Sequence, residues 1–214
     1  KKEYDLFYLT ILKDRSIFNS ETEYLKDSIL NSRNPNNLFI LNKSLFKNTI
    51  VKKNNKIINY INYNVYRFIL NENLDLKWDL TKETKDILGY KCKSAKTKFK
   101  GRDYIAFYTD EIPISEGPYK FNGLPGLILE IYDADKVFHI KVKKINLKSS
   151  NVNFSKKVDW IKKSKKIDLK EYIKQKSNER EEEINEINSK LGKDEPRYKL
   201  EDSPKSQDIE IYKK

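Results

Sequence analysis

Apolar residues in this chain fall in short runs and alternations broken by Asn, Lys and Gly, a pattern that predicts strands before helices. Tyr4–Leu12 reads as a first strand. Ser20-Glu21-Thr22-Glu23 has the form of a capping box, in which the Ser20 hydroxyl takes the Glu23 amide, so a short helix or turn is expected near 20–33. After the break at Asn34–Asn37, strand-like pieces follow at Leu38–Leu41, Thr49–Val51, Ile57–Ile61, Val65–Leu70 and Leu76–Leu80. Their separators carry Asn, which tolerates the left-handed conformation of tight hairpins. Gly89–Phe99 and Asp103–Thr109 should form a hairpin with Gly101 at its tip, and Leu124–Tyr132 and Val137–Leu147 another across Asp133–Lys136. The expectation is a meander of roughly eight to ten antiparallel strands.

From Asp168 to Leu191 the pattern becomes helical. Asp168 is the N-cap, Glu171 stands three positions on, and Leu169, Tyr172 and Ile173 share a face. Ile184, Ile187 and Leu191 resume after a wholly polar middle, so only the helix ends have apolar residues to pack. The tail from Gly192, with Pro196 and Pro204, reads as loop or extended strand. The organisation expected is an antiparallel β domain over 1–150, a linker and helix over 151–191 and a tail over 192–214. The fold class is mainly β with helices (α+β), a curved antiparallel sheet with a C-terminal helix.

Six glycines and six prolines serve the whole chain, yet three of each fall between Pro113 and Gly126. Pro113 cannot donate to a sheet ladder, and Gly117-Pro118 sets an extended residue before a fixed dihedral. Gly123 and Gly126 bracket Leu124-Pro125, so the backbone can turn or approach a neighbour closely on either side of a rigid residue. Leu127–Tyr132 then carries apolar residues on both alternating sets, as a strand covered on both faces does. A shaped bend leading into a core strand is the structural reading, and a bend that lines a ligand is the functional one.

Composition adds bounds. The 214 residues fit one domain with appendages. Lys and Arg number 44 against 32 Asp and Glu, a formal charge of +12. That favours an anionic partner or a lysine-rich solvated surface, but no helix-turn-helix, zinc-finger or aromatic RNA-binding signature accompanies it, so no specific nucleic-acid partner is expected. No run reaches the roughly 18 apolar residues of a membrane-spanning helix. The chain lacks methionine and opens at Lys1, which is expected of a chain trimmed after export. One cysteine, Cys92, forbids an internal disulfide.

Candidate chemistry is sparse. His139 lies in a strand on a half-solvated face; as a base it would need a partner, and Cys92 is the one thiol available to it. Asp133 and Asp135 read as turn chemistry before a cation site. Lys91, Lys93, Lys96, Lys98, Lys100 and Arg102 line one hairpin, either as an edge that resists association or as a basic rim for anionic groups. No phosphate loop, nucleophile elbow or dinucleotide fingerprint is present, and no metal or cofactor is expected.

The stretch "GLPGLI", Gly123–Ile128, together with "LGYKCKSAKTKFKGRDYIAFYTDE" and "EIPISEGPYKF", resembles the GLPGLI family of bacterial envelope proteins. That resemblance implies export to the periplasm or cell envelope and names no reaction. A sheet curved over helices is also similar to the half-barrel of bacterial lipoprotein carriers, a likeness of fold alone. The leading expectation is a non-enzymatic envelope binding protein for a lipid, apolar small molecule or peptide. Its cleft would be lined by Trp78, Arg102, Tyr119, Phe121, Leu124, Leu127 and Leu129, and shaped by Gly117, Pro118, Gly123, Pro125 and Gly126. The alternatives are a scaffold for an envelope protein partner and an unrecognised hydrolase tested through His139.

Overall fold

The computed structural model describes residues 5–25, 48–54, 56–63, 66–147, 164–192 and 195–199. Two open sheets and one long helix form a mainly β, α+β fold, with a single helical turn at 21–25. The first sheet is a meander of β1 (Phe7–Ile11), β2 (Ser16–Ser20), β3 (Thr49–Lys53), β4 (Lys56–Tyr63) and β5 (Tyr66–Asn73). β11 (Lys165–Ile167) adds to its edge, parallel to β5. The second is a meander of β6 (Asp79–Ile87), β7 (Tyr90–Phe99), β8 (Arg102–Thr109), β9 (Leu127–Asp133) and β10 (His139–Lys141).

Turn chemistry sets the registers. Leu88-Gly89 and Lys100-Gly101 each place two successive residues at positive φ (52° and 85°, 44° and 82°), the two-residue turn whose twist matches the flanking strands. Two expectations shift. The strand foreseen at Leu76–Leu80 begins at Asp79 and runs on through polar residues to Ile87, because β6 is a solvated edge that the apolar pattern does not mark. Val137–Leu147 shortens to β10. The buried β2 and the three-residue β11 were not foreseen, and Leu38–Leu41 lies outside the described residues.

The sheets share one core. Phe18, Ile50 and Ile57 of the first meet Phe99, Tyr104, Tyr108 and Ile131 of the second, and Tyr119, Phe121 and Leu124 of the 113–126 loop fill the same cluster. Phe121 rings lie 5.3 Å from Phe99 and 4.8 Å from Tyr104. A buried lysine fixes the loop: Lys52 Nζ of β3 donates to the carbonyls of Gly117 and Phe121 and pairs with Glu116 at 2.6 Å. Lys120, itself buried, reaches Glu72 at 2.5 Å.

The helix Leu169–Lys190 starts as expected, Asp168 accepting from the Glu171 amide. Leu169 and Tyr172 pack on Ile61, Phe68, Leu70 and Ile167. Its far end does not pack as foreseen: Ile187 is exposed, and Asn188 instead exchanges hydrogen bonds with the Tyr198 backbone. Among the described residues no helix is long and apolar enough to cross a membrane.

Candidate functional site

The loop residues singled out in the sequence come together, in the interior. Tyr119, Phe121, Leu124, Leu127 and Leu129 are buried. Trp78 is partly buried and donates from Nε1 to the Asn122 carbonyl at 2.8 Å, and Arg102 pairs with buried Asp133 at 2.8 Å. A Cβ on Gly126 would lie 2.0 Å from the Thr109 carbonyl oxygen, and one on Gly117 would lie 2.8 Å from Ile128 Cδ1. Gly123 holds a φ of 93° beside Trp78. The glycines therefore concentrate here because this loop threads between packed strands.

A cavity of about 260 Å³ opens where the β1–β2 turn, Lys53-Asn54 and the loop meet, lined in part by Asp14, Arg15, Glu116 and Asn122. Both of its carboxylates are paired: Asp14 takes Arg15 and Lys53, each at 2.9 Å, and Glu116 takes Lys52. The Arg15 and Lys53 hydrogen bonds hold the Asp14 carboxyl below the usual carboxylate range.

The second face of the β6–β10 sheet carries the richer chemistry. Cross-strand register aligns Lys96, Ile105, Tyr132 and His139 in one row and Ser94, Phe107, Glu130 and Lys141 in the next. A bulge at Phe107/Tyr108 lets β9 turn Glu130 toward this face beside Leu129. The Glu130 side chain is buried, and its two oxygens are divided: Oε2 takes Lys85 Nζ, and Oε1 meets His139 Nε2 at 2.8 Å. Burial would raise the Glu130 pKa, but the Lys85 and His139 hydrogen bonds outweigh it and hold the group below its ordinary value. Lys85 also lies 5.0 Å over the Phe107 ring, and Tyr132 meets the His139 ring edge-on at 5.5 Å. A buried anion thus fixes two basic groups around an aromatic strip.

His139 is on a strand and half-exposed, as the sequence implies, but its partner is Glu130 and not Cys92. β8 and β9 separate the two strands, putting their axes roughly 14 Å apart, and Cys92 lies four residues along β7 from the row that holds His139. Cys92 is buried, and burial pushes its pKa up to about 11. Asp133 closes a turn, accepting the Phe138 amide at 2.8 Å. Sequence reasoning passed over Glu130; its signal was a lone carboxylate inside the apolar run Leu127–Tyr132. Among the described residues no group of three metal-ligating side chains converges.

Residues 24–174 match the family described as N-glycanase peptide, N-terminal domain. The chain belongs to this family. The N-glycanase match replaces the GLPGLI resemblance: the Gly/Pro stretch that carried it is explained by close packing of the 113–126 loop, and the wider match decides. Two solved structures of PNGF-II, in P21 and C2 space groups, share the fold with TM-scores of 0.51 and 0.50 at 16% identity. The chain is covered over 81% and 80%, and spans only 30% and 29% of those chains. No curated protein matches the sequence. The N-glycanase membership also overturns the expectation of a non-enzymatic envelope binding protein with an apolar cleft, and of the scaffold set beside it. The physical reason is plain in the interior, where Tyr119, Phe121 and Leu124 fill the space between the sheets.

Proposed function

We propose that this chain serves an N-glycanase, supplying a surface that meets the glycan-bearing substrate. Membership of the N-glycanase N-terminal domain family over 24–174 carries the reading. The β6–β10 face supports it chemically. A partly exposed Tyr132 beside Ile105 offers the flat apolar strip on which a sugar ring can lie, and His139, Lys85 and Lys96 stand around it as hydrogen-bonding groups. Glu130 is committed to Lys85 and His139 and held ionised, so it acts as an anchor for those groups and not as a proton donor. Trp78, Arg102 and the 113–126 loop contribute through the shape they impose on the second sheet. Work on glycoproteins goes with export to the periplasm or beyond.

The test is binding of the 214-residue chain to one N-glycosylated protein and to the same protein stripped of its N-glycans. Preference for the glycosylated form, lost in Tyr132→Ala with an unchanged melting temperature, is expected. Equal binding to both forms, or release of glycan by the chain alone with Tyr132→Ala unaffected, contradicts it.

A further inference from the structure

Asn122-Gly123 is the one asparagine–glycine bond in the chain. It lies in the 113–126 loop, where Gly123 is exposed at a φ of 93° and the half-buried Asn122 lines the cavity of about 260 Å³. Gly123 has no side chain to screen its amide nitrogen from the carboxamide of the residue before it. Among the described residues neither the Gly123 N–H nor the Asn122 carboxamide makes a hydrogen bond, so neither is tied up. Trp78 Nε1 does donate to the Asn122 carbonyl at 2.8 Å. That bond polarises the peptide unit whose N–H belongs to Gly123 and makes its proton easier to remove.

The cavity adds a second, electrostatic reason. Its lining holds the cations Lys13, Arg15, Lys52 and Lys53 and the carboxylates Asp14 and Glu116, and both carboxylates are already paired. Lys13 has no carboxylate partner among the described residues. Negative charge that develops on the Asn122 side chain, or is left there at the end, therefore meets an excess of positive charge.

We infer that Asn122-Gly123 is a site of spontaneous deamidation in the folded protein, which gives the cavity a further carboxylate for its excess cations. The Gly123 nitrogen bonds to Asn122 Cγ and gives up its proton to solvent base, the carboxamide nitrogen takes up a proton and leaves as ammonia, and water opens the resulting cyclic imide. Opening at Cγ yields aspartate; opening at the α-carbonyl yields isoaspartate and reroutes the backbone. Water is the one co-reactant. The inference stands apart from the glycan-directed reading, which uses the β6–β10 face.

The test is peptide mapping by mass spectrometry of the native 214-residue chain, held at body temperature in neutral and in mildly alkaline buffer beside a synthetic peptide of residues 119–126. Position 122 should gain the mass of an amide nitrogen exchanged for oxygen, with ammonia released in equal amount, and faster in the alkaline buffer because base removes the Gly123 proton. The native rate should fall within about tenfold of the peptide's, a barrier difference under about 1.4 kcal/mol. Asn122→Gln, which would have to close a larger ring, should lose the mass gain and keep the native melting curve. Asn122→Asp, the direct product, should melt no lower than the wild type, because its carboxylate faces the cavity's cations. A native rate more than about tenfold below the peptide's overturns the inference and means that the fold holds the bond shut. A mass gain that persists in Asn122→Gln overturns the assignment to this bond, and a lowered melting temperature in Asn122→Asp overturns the part given to the cavity's charge.

Discussion

Lys52 Nζ donates to the carbonyl oxygen of Gly117 across 2.6 Å, tying the middle of one sheet to a loop that belongs to the other. The same ammonium reaches the Phe121 carbonyl at 3.0 Å and the Glu116 carboxylate at 2.6 Å, and it is buried. Burial lowers its pKa and Glu116 opposes that. Lys52→Met removes one partner and leaves a carboxylate and two carbonyls facing an apolar group. The expected loss is about 3–5 kcal/mol, read from guanidinium unfolding. A loss under about 1 kcal/mol, typical of an exposed pair, would show that the loop is held by packing alone.

Gly126 and Gly89 make a matched pair of tests. A methyl on Gly126 meets the Thr109 backbone at 2.0 Å, which no rotamer change can relieve, whereas one on Gly89 meets nothing within 4 Å and suffers only a φ of 85°. Gly126→Ala should cost upward of about 3 kcal/mol by forcing strands apart. Gly89→Ala should cost about 1–2 kcal/mol, the strain of the left-handed region. Thermal melts of the two variants give the order directly; a reversed order would mean that the 113–126 loop yields more easily than the turn.

Much of this architecture was legible because local rules and tertiary demands agree. Lys100-Gly101 sits where a two-residue hairpin needs it, and Asp168 caps its helix through the residue that the spacing names. What escaped was decided at long range. β6 is a strand because β7 offers a ladder, not because Thr81-Lys82-Glu83-Thr84 favours one. Glu130 became a charged anchor only when a bulge and the return of β10 brought His139 to it. The loop was seen as shaped, yet sequence could not distinguish lining a cleft from filling one, since both need Tyr119, Phe121 and Leu124 to be apolar.

Acid should weaken the protein through Glu130. Its folded pKa lies below the ordinary value of 4.5, so its contribution is fully present above that value and is lost as pH falls through it toward the folded pKa. In urea titrations, Glu130→Gln should be less stable than the wild type at neutral pH, with the gap narrowing below about pH 4.5. A gap that stays constant down to acid pH would mean that the Lys85 and His139 contacts add nothing beyond shape.

Cys92 should be inert until the fold opens. Burial raises its pKa from 9.0 to about 11, leaving about a hundredfold less thiolate at pH 8 than an ordinary thiol, and the sulfur is also shielded. A disulfide reagent should release stoichiometric product in denaturant and almost none in buffer. Rapid labelling of native protein would place Cys92 at the surface and contradict its burial.

The placement of Tyr119, Phe121 and Leu124 also bears on how the chain comes to be folded. These side chains leave the second sheet between β8 and β9 and complete a core whose other wall is Phe18, Ile50 and Ile57. Neither meander can bury its inner face without them, and they lie far along the chain from the strands they cover. Folding therefore waits on closure over a long sequence separation, the slow kind of event. The two sheets are one cooperative unit, and a fragment ending at Asn73 has half an interior and nothing to close it.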